Sequence, residues 1–245
     1  QPGESLLAGG VTRWVTAPPS EEDLSRPKYL DLKLLDVPAV ALEQAARESL
    51  RMAAIVREML YDTKRLLIPE NNRMGMRKIK QREEAVDHLN REIKLYLIKL
   101  SPGLSEKESA RKMTLINFIS HLENIGDIID DNLLELGEKK IEEGARFSEV
   151  GLTELHLFHH GVCQDFDEVV AAFETDQKEK AQQVIEGRGS FHQRVHEMRA
   201  AHIERLHQGA SQTMASSAIH LDFITHFARI RSHITAIAHT LVEEE

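Results

Sequence analysis

Glu123 and Asp127, four residues apart in LENIGD, with Asp130 and Asp131 just beyond, are the residues whose types and spacing could do chemistry in this sequence. On a helix, positions i and i+4 share a face and i+3 lies beside them, so these acids form one stripe. Oxygen donors gathered this way suit a hard cation. Like charges at this spacing destabilise an isolated helix by only about 0.2–0.5 kcal/mol per pair, so from the carboxylates alone a solvated acidic face is the readier reading. Gly126 argues for the site: inside a helix, glycine costs about 1 kcal/mol relative to alanine and marks the close approach of a backbone or a ligand. A second acidic pair, Glu84 and Asp87 in REEAVDH, falls on the preceding helix, which an antiparallel hairpin would lay beside Glu123 and Asp127. The expected ligand set is therefore Glu123, Asp127, Glu84 and Asp87, with Asp130 and Asp131 as outer candidates.

Other chemistries fit less well. His156, His159 and His160 have chelating spacing but no acid in register, and Glu204 with His207 is the one Glu-x-x-His pair, where a di-iron bundle needs two. Cys163 lies in an apolar helical stretch with nothing to lower its pKa, so a nucleophilic role is not expected. No glycine-rich loop follows a strand, which removes a nucleotide site of that kind.

The elements that must position the acids are helices. The 245 residues are 41% hydrophobic and only 5% aromatic, with seven prolines concentrated near the N-terminus. Residues 1–37 carry Gly9-Gly10 and Pro18-Pro19 without a sustained period and read as a linker or an arm on the body, with Trp14 as its pin. Asp36 and Pro38 predict a helix start, and apolar spacing of three and four continues to Ile68. Pro69 with Asn71-Asn72 breaks it, and a second helix runs from about Arg73 to Leu100. Ser105 and Glu108 form a capping-box pattern that opens a long third helix ending at Gly144. The plan then repeats: a helix from about Ser148 to Phe173, one opened by Asp176 and Glu179 and running to Gln208, and one from about Ser211 to Val242.

An offset of 105 residues superposes the two halves of the sequence: Ile119 to Leu122 falls on Ile224 to Phe227, and Glu92-Ile93 on Glu197-Met198. The predicted fold is all-α, two tandem antiparallel three-helix bundles of six long helices, at 38–145 and 146–245 after the arm. Under the same offset Glu123 becomes Ala228, Gly126 becomes Arg231, Asp127 becomes Ser232, Asp87 becomes His192 and Glu84 becomes Gly189. An acid-built metal site is therefore expected in the first bundle only. His192 and His233 remain as donors for a softer metal, although helix histidines are usually surface or hydrogen-bonding groups.

The segment Leu122-Glu123-Asn124-Ile125-Gly126-Asp127 resembles the Glu-x-x-x-Asp signature, usually E-R-I-G-D, of the phosphate-uptake regulator (PhoU) family, and Glu84 to Leu89 is similar to its acidic second-helix segment. The resemblance spans about 39–242 and implies two three-helix bundles able to hold iron, zinc or another divalent or trivalent metal through these carboxylates. Arg26 to Asp31 and Asp36 to Leu42 resemble the segment that joins the membrane part of bacterial sodium/phosphate cotransporters to a C-terminal PhoU-like domain.

The resemblance implies a non-enzymatic regulatory domain in phosphate transport. Its partner would be the membrane part of a sodium/phosphate transporter, in the same chain or as a separate subunit, with phosphate recruited through the metal. The alternative is a helical adaptor whose faces bind a partner or form a homodimer without metal. A formal charge of −9 with no basic stripe argues against nucleic acid. One cysteine excludes an internal disulfide and points to a reducing compartment. The sequence holds no run of eighteen apolar residues and begins with Gln1, which predicts a soluble piece of something longer, at the cytoplasmic face of the inner membrane.

Overall fold

The computed structural model describes residues 24–68, 72–100, 103–209 and 211–243. Trp14, the glycine and proline pairs of the arm, and the breaker residues Pro69 and Asn71 lie outside the described residues.

The described part of the arm bends from Leu24 into a short 3-10 turn at Leu32–Leu34, which Asp31 caps by accepting from the Lys33 N–H. Helix α1 spans Pro38–Asp62. The cap is Val37 rather than the expected Asp36, and it has no side-chain hydrogen bond. Pro38 takes the first helical position, where its missing N–H is harmless, and this leaves Asp36 one residue too early to cap. At Thr63 the chain turns, its hydroxyl donating to Leu60 O, before the single turn α2, Lys64–Leu67. Helix α3, Arg73–Ile98, is capped by Asn72, which accepts from the Gly75 N–H.

Helix α4, Glu106–Asp127, opens with the Ser105–Glu108 capping box anticipated from the sequence. The third rod is not uniformly α-helical: after Asp127 it widens into a π-helical turn at Ile128–Leu134 and returns to α-helix as α5, Glu135–Glu142. The physical reason lies in the apolar spacing. Ile128 and Leu133, and Ile129 and Leu134, sit five residues apart, and all four are buried, which the i→i+5 turn allows and a 3.6-residue turn does not. Gly144, at φ 61°, ends the rod in left-handed backbone, with the Ala145 N–H donating to Lys140 O.

The second half comprises α6, Glu149–Thr175, α7, Lys178–Glu186, α8, Arg188–His207, and α9, Ser211–Glu243. Asp176 does not open α7 as expected: it is the left-handed C-cap of α6 at φ 53°, and Gln177 precedes α7 without a side-chain cap. Asp tolerates this conformation better than most residues. The fifth rod breaks at Gly187, where Arg231 of α9 donates to Val184 O. That carbonyl is the acceptor residue 188 would use in an unbroken helix. A Cβ at position 187 would lie 3.3 Å from the Arg231 guanidinium, so the break and the glycine belong together.

Six rods result among the described residues, all helical and without a strand. α1 packs on α3 and α4, and α3 on α4, while α9 packs on α6, α7 and α8. The two sets meet through α4 against α9 and α1 against α6, and one continuous hydrophobic core runs through both. Phe118 of α4 stacks on Phe173 of α6 at 3.9 Å between centroids, and the Phe158, Phe223 and Phe227 rings fill the second half. Each large side chain buried in this way contributes about 1.5–3 kcal/mol.

Candidate metal centre

The α1–α3–α4 arrangement lays the acidic parts of α3 and the third rod side by side. Ala85, Val86, Leu89 and Ile93 face the core and fix the rotation of α3. That rotation directs Glu83 and Asp87, one helical turn apart, toward the end of α4, where one oxygen donor from each lies within 4.8 Å of an Asp127 oxygen and of the other. All three side chains are half-buried.

The carboxyls register this crowding. Glu83 is pushed up to about 7, first by burial and then by the negative charges of Asp87, Asp130 and Asp127. Asp127 rises to about 6, again mainly by burial, with Glu123 and Asp87 the largest charge contributions. Asp130 is raised as well by burial, with Lys80 working in the opposite direction. Its Oδ1 is hidden from solvent and has no hydrogen-bond partner. A buried carboxylate oxygen without a donor is costly unless something positive or a water meets it.

Of the residues expected from the sequence, Asp87 and Asp127 come together. Glu123 is half-buried one turn before Asp127 and acts on it through charge. Glu84 is exposed and outside the group; Glu83, one residue earlier, takes the inward position. Applying to Asp87 the i, i+4 rule used for Glu123 and Asp127 would have found it. Asp131 is exposed, because the π turn carries it outward.

Gly126 does not open space for an ion. Its missing Cβ would face Val86 at 3.5 Å and Met59 at 3.8 Å, inside the core and at ordinary contact distance. The close approach belongs to Gly137, where a Cβ would fall 2.6 Å from the Met76 methyl and 3.0 Å from Leu66.

Three carboxylates with no histidine or thiol among them suit an oxygen-seeking cation such as Mg²⁺, Mn²⁺ or Fe³⁺ better than zinc, which favours nitrogen and sulfur. The donors fit, and the raised pKa values of Glu83 and Asp127 are those of groups short of positive charge.

The histidine and cysteine positions are otherwise engaged. His159 is buried, bonds Leu60 O at 2.9 Å, and is pushed down to about 4, chiefly by burial. Cys163 is buried against it, and burial pushes its thiol up to about 12, far from a reactive thiolate. Glu204 and His207 are exposed near the end of α8. His233 does not pair with His192; its Nδ1 lies 3.1 Å from Nδ1 of His121 across α4 and α9.

The comparisons with known proteins agree with this architecture. The chain is 28% identical over 245 residues to the "Putative inorganic phosphate export protein YjbB" of Salmonella typhimurium, covering 99% of this chain and 45% of that protein. The protein of the same name from Shigella flexneri is 27% identical over 220 residues, covering 89% of this chain and 40% of its own length. The chain thus spans somewhat less than half the length of these relatives. The crystal structure of PhoU from Pseudomonas aeruginosa superposes with a TM-score of 0.76 at 15% identity, over 83% of this chain and 96% of that one, which establishes the likeness of fold. The PhoU domain model matches residues 49–133, the stretch that carries Glu83, Asp87 and Asp127.

Proposed function

We propose that this chain is a non-catalytic regulatory domain of an inorganic phosphate transporter, that its two trihelical units are residues 38–145 and 146–245, and that the first holds a metal ion. The observation that carries the metal reading is the convergence of Glu83, Asp87 and Asp127 on one point between α3 and α4. Glu123 and Asp130 stand close enough to shift Asp127 electrostatically and would complete the set. A bound cation would supply positive charge for recruiting phosphate and would tie α3 to the third rod. The transport reading is supported by the PhoU-domain match and by the phosphate-export names of the relatives. Sodium coupling of that transporter, and a place at the cytoplasmic face, are the finer form of the same proposal; no described helix is long and apolar enough to cross a membrane.

Coupling to the rest of a transporter would run through the arm. Glu48, fully buried on α1, accepts from the Lys28 and Tyr29 backbone N–H groups at 2.8 Å and pairs with Arg51, whose guanidinium donates to Leu24 O and Arg26 O. The Tyr96 hydroxyl of α3 lies 2.7 Å from Gln44 Oε1 and 3.0 Å from Asp31 O, its one proton shared between them. The arm is thereby fastened to the helix that also carries Glu83 and Asp87.

The test is a metal titration of chelator-treated protein with Mn²⁺, Mg²⁺, Fe³⁺ and Zn²⁺, followed by melting temperature and elemental analysis. Stabilisation that disappears in Asp87→Asn and Asp127→Asn is expected. No stabilisation and no retained metal would leave a metal-free helical adaptor. Deleting the chain's equivalent from a whole transporter tests the other half, which fails if phosphate flux and its regulation are unchanged.

A further inference from the structure

The 105-residue offset carries the acidic group of the first bundle onto a pocket in the second. This cavity of about 190 Å³ lies between α8 and α9. Arg188 stands where the offset places Glu83, His192 where it places Asp87, and Ser232 where it places Asp127. Thr235 stands in the place of Asp130, and Ala228 in that of Glu123. Every acid of the first group is thus exchanged for a base, a hydroxyl or a methyl, yet a pocket persists.

Arg231 forms its floor. It is 3% exposed, stacks over Phe191 at 4.5 Å, and donates through Nε to Asp165, through Nη1 to Thr235 Oγ1 and through Nη2 to Val184 O. A guanidinium has five N–H donors, so each terminal nitrogen keeps one for a ligand. Asp165 balances the Arg231 charge from α6. Arg188 is exposed at the rim, donates only a long 3.5 Å contact to His192 Nε2, and forms no ion pair with the described residues. Ser232 and His239 complete the mouth. No acid is among the described residues that line the cavity.

We infer that this pocket is an anion site for a small tetrahedral oxyanion, phosphate or a phosphomonoester, held by Arg188, Arg231 and His192, with Ser232, whose hydroxyl donates to Ala228 O, at the mouth. The volume is below the roughly 300–1,000 Å³ of pockets for drug-sized organic ligands. Its donors are of the kind that make charge-assisted bonds to phosphate oxygens, arginine above all. The buried arginine is already oriented by three bonds, so little conformational freedom remains to be lost on binding. Duplication has thus yielded two sites of opposite sign on one scaffold. The second needs no metal in the first, so the two readings can fail separately.

Equilibrium dialysis of the full chain, chelator-treated, against radiolabelled inorganic phosphate tests the assignment. Saturable binding at one site is expected, weakened roughly tenfold or more by Arg188→Glu and by Ser232→Asp, and unchanged by the exposed charge reversal Arg47→Glu on α1. Far-ultraviolet circular dichroism confirms that the exposed-site variants remain folded. Co-sedimentation with phosphatidate vesicles distinguishes the source: vesicle binding that is lost in Arg188→Glu and competed by free phosphate assigns the same pocket to a lipid phosphomonoester. Absence of both kinds of binding overturns the inference. So does phosphate binding that survives both pocket variants but is lost in Arg77→Glu, which would move the site to the groove between α3 and α5 lined by Arg73, Arg77, Lys80, Glu138 and Glu142.

Discussion

Asp127 is half-buried among the negative charges of Glu123, Asp87, Asp131 and Asp130, and this makes its behaviour with pH predictable. Folded-state values of about 7 for Glu83 and about 6 for Asp127 lie above the ordinary carboxyl range. The folded state therefore binds protons more tightly than the unfolded state, and stability is lost as pH rises through that window. A cation competes with those protons. The melting-temperature gain from Mn²⁺ should grow as pH is raised from about 6 to about 7 and then level off. Asp127→Asn should abolish the gain while making the metal-free protein no less stable, since it removes a repelled charge; calorimetry at two pH values checks both. Gly126→Ala offers a sharper residue-scale test. The added methyl finds ordinary contacts with Val86 and Met59 and removes a helix glycine. The variant should be stabilised by up to about 1 kcal/mol in urea unfolding, with metal binding retained.

Among the elements, the arm and the third rod do the positioning. Glu48 has no solvent exposure, and its partners are two backbone N–H groups and Arg51. Removing one member of such a buried pair leaves the other uncompensated, so Glu48→Ala should cost about 3–5 kcal/mol. Limited proteolysis should then open the 24–35 segment before the helices. Resistance of that segment equal to the parent chain would show that the latch does not hold the arm. In the third rod, the π turn follows directly on Asp127 and determines that Asp130 turns inward while Asp131 turns out. The capping box and the apolar period announced this rod in the sequence. The π turn was readable only from the five-residue spacing of Ile128, Ile129, Leu133 and Leu134, a pattern easily taken for ordinary helix. Glu83 and Glu84 posed a similar ambiguity. Adjacent residues on a helix point about 100° apart, and the burial of Val86 and Leu89 decided which of the two faced the third rod.

At the scale of the whole molecule, the two bundles are joined by polar as well as apolar contacts. Arg57 of α1 makes a two-bond ion pair with Asp167 of α6, to which Tyr61 also donates, and His121 meets His233 across α4 and α9. Within the second bundle, His220 is stacked on His202 and, like His159 on α6, is held well below its ordinary value, both at about 4 and mainly by burial. For these histidines the unfolded state binds protons more tightly, so their contribution is present above about pH 6.5 and is lost as pH falls toward 4. Thermal melts of the Glu83→Gln, Asp127→Asn double variant in chelator remove the two carboxyls raised into the same interval. Stability should decline over that interval, and His220→Gln should flatten the decline. An unchanged slope would place the acid sensitivity elsewhere.

The order of the helices, most of their ends and the absence of acids 105 residues beyond Glu83, Asp87 and Asp127 were determined by the sequence itself. Periodicity, capping residues and charge are local properties of the chain, and they need no knowledge of what packs against what. The tertiary structure decided the rest: that Glu83 rather than Glu84 joins Asp87 and Asp127, that Gly126 faces apolar side chains, and that Arg231 folds inward to break the fifth rod. Each depends on the rotation of one helix against another, which is set by the fit of many core side chains at once and is not written in any single spacing.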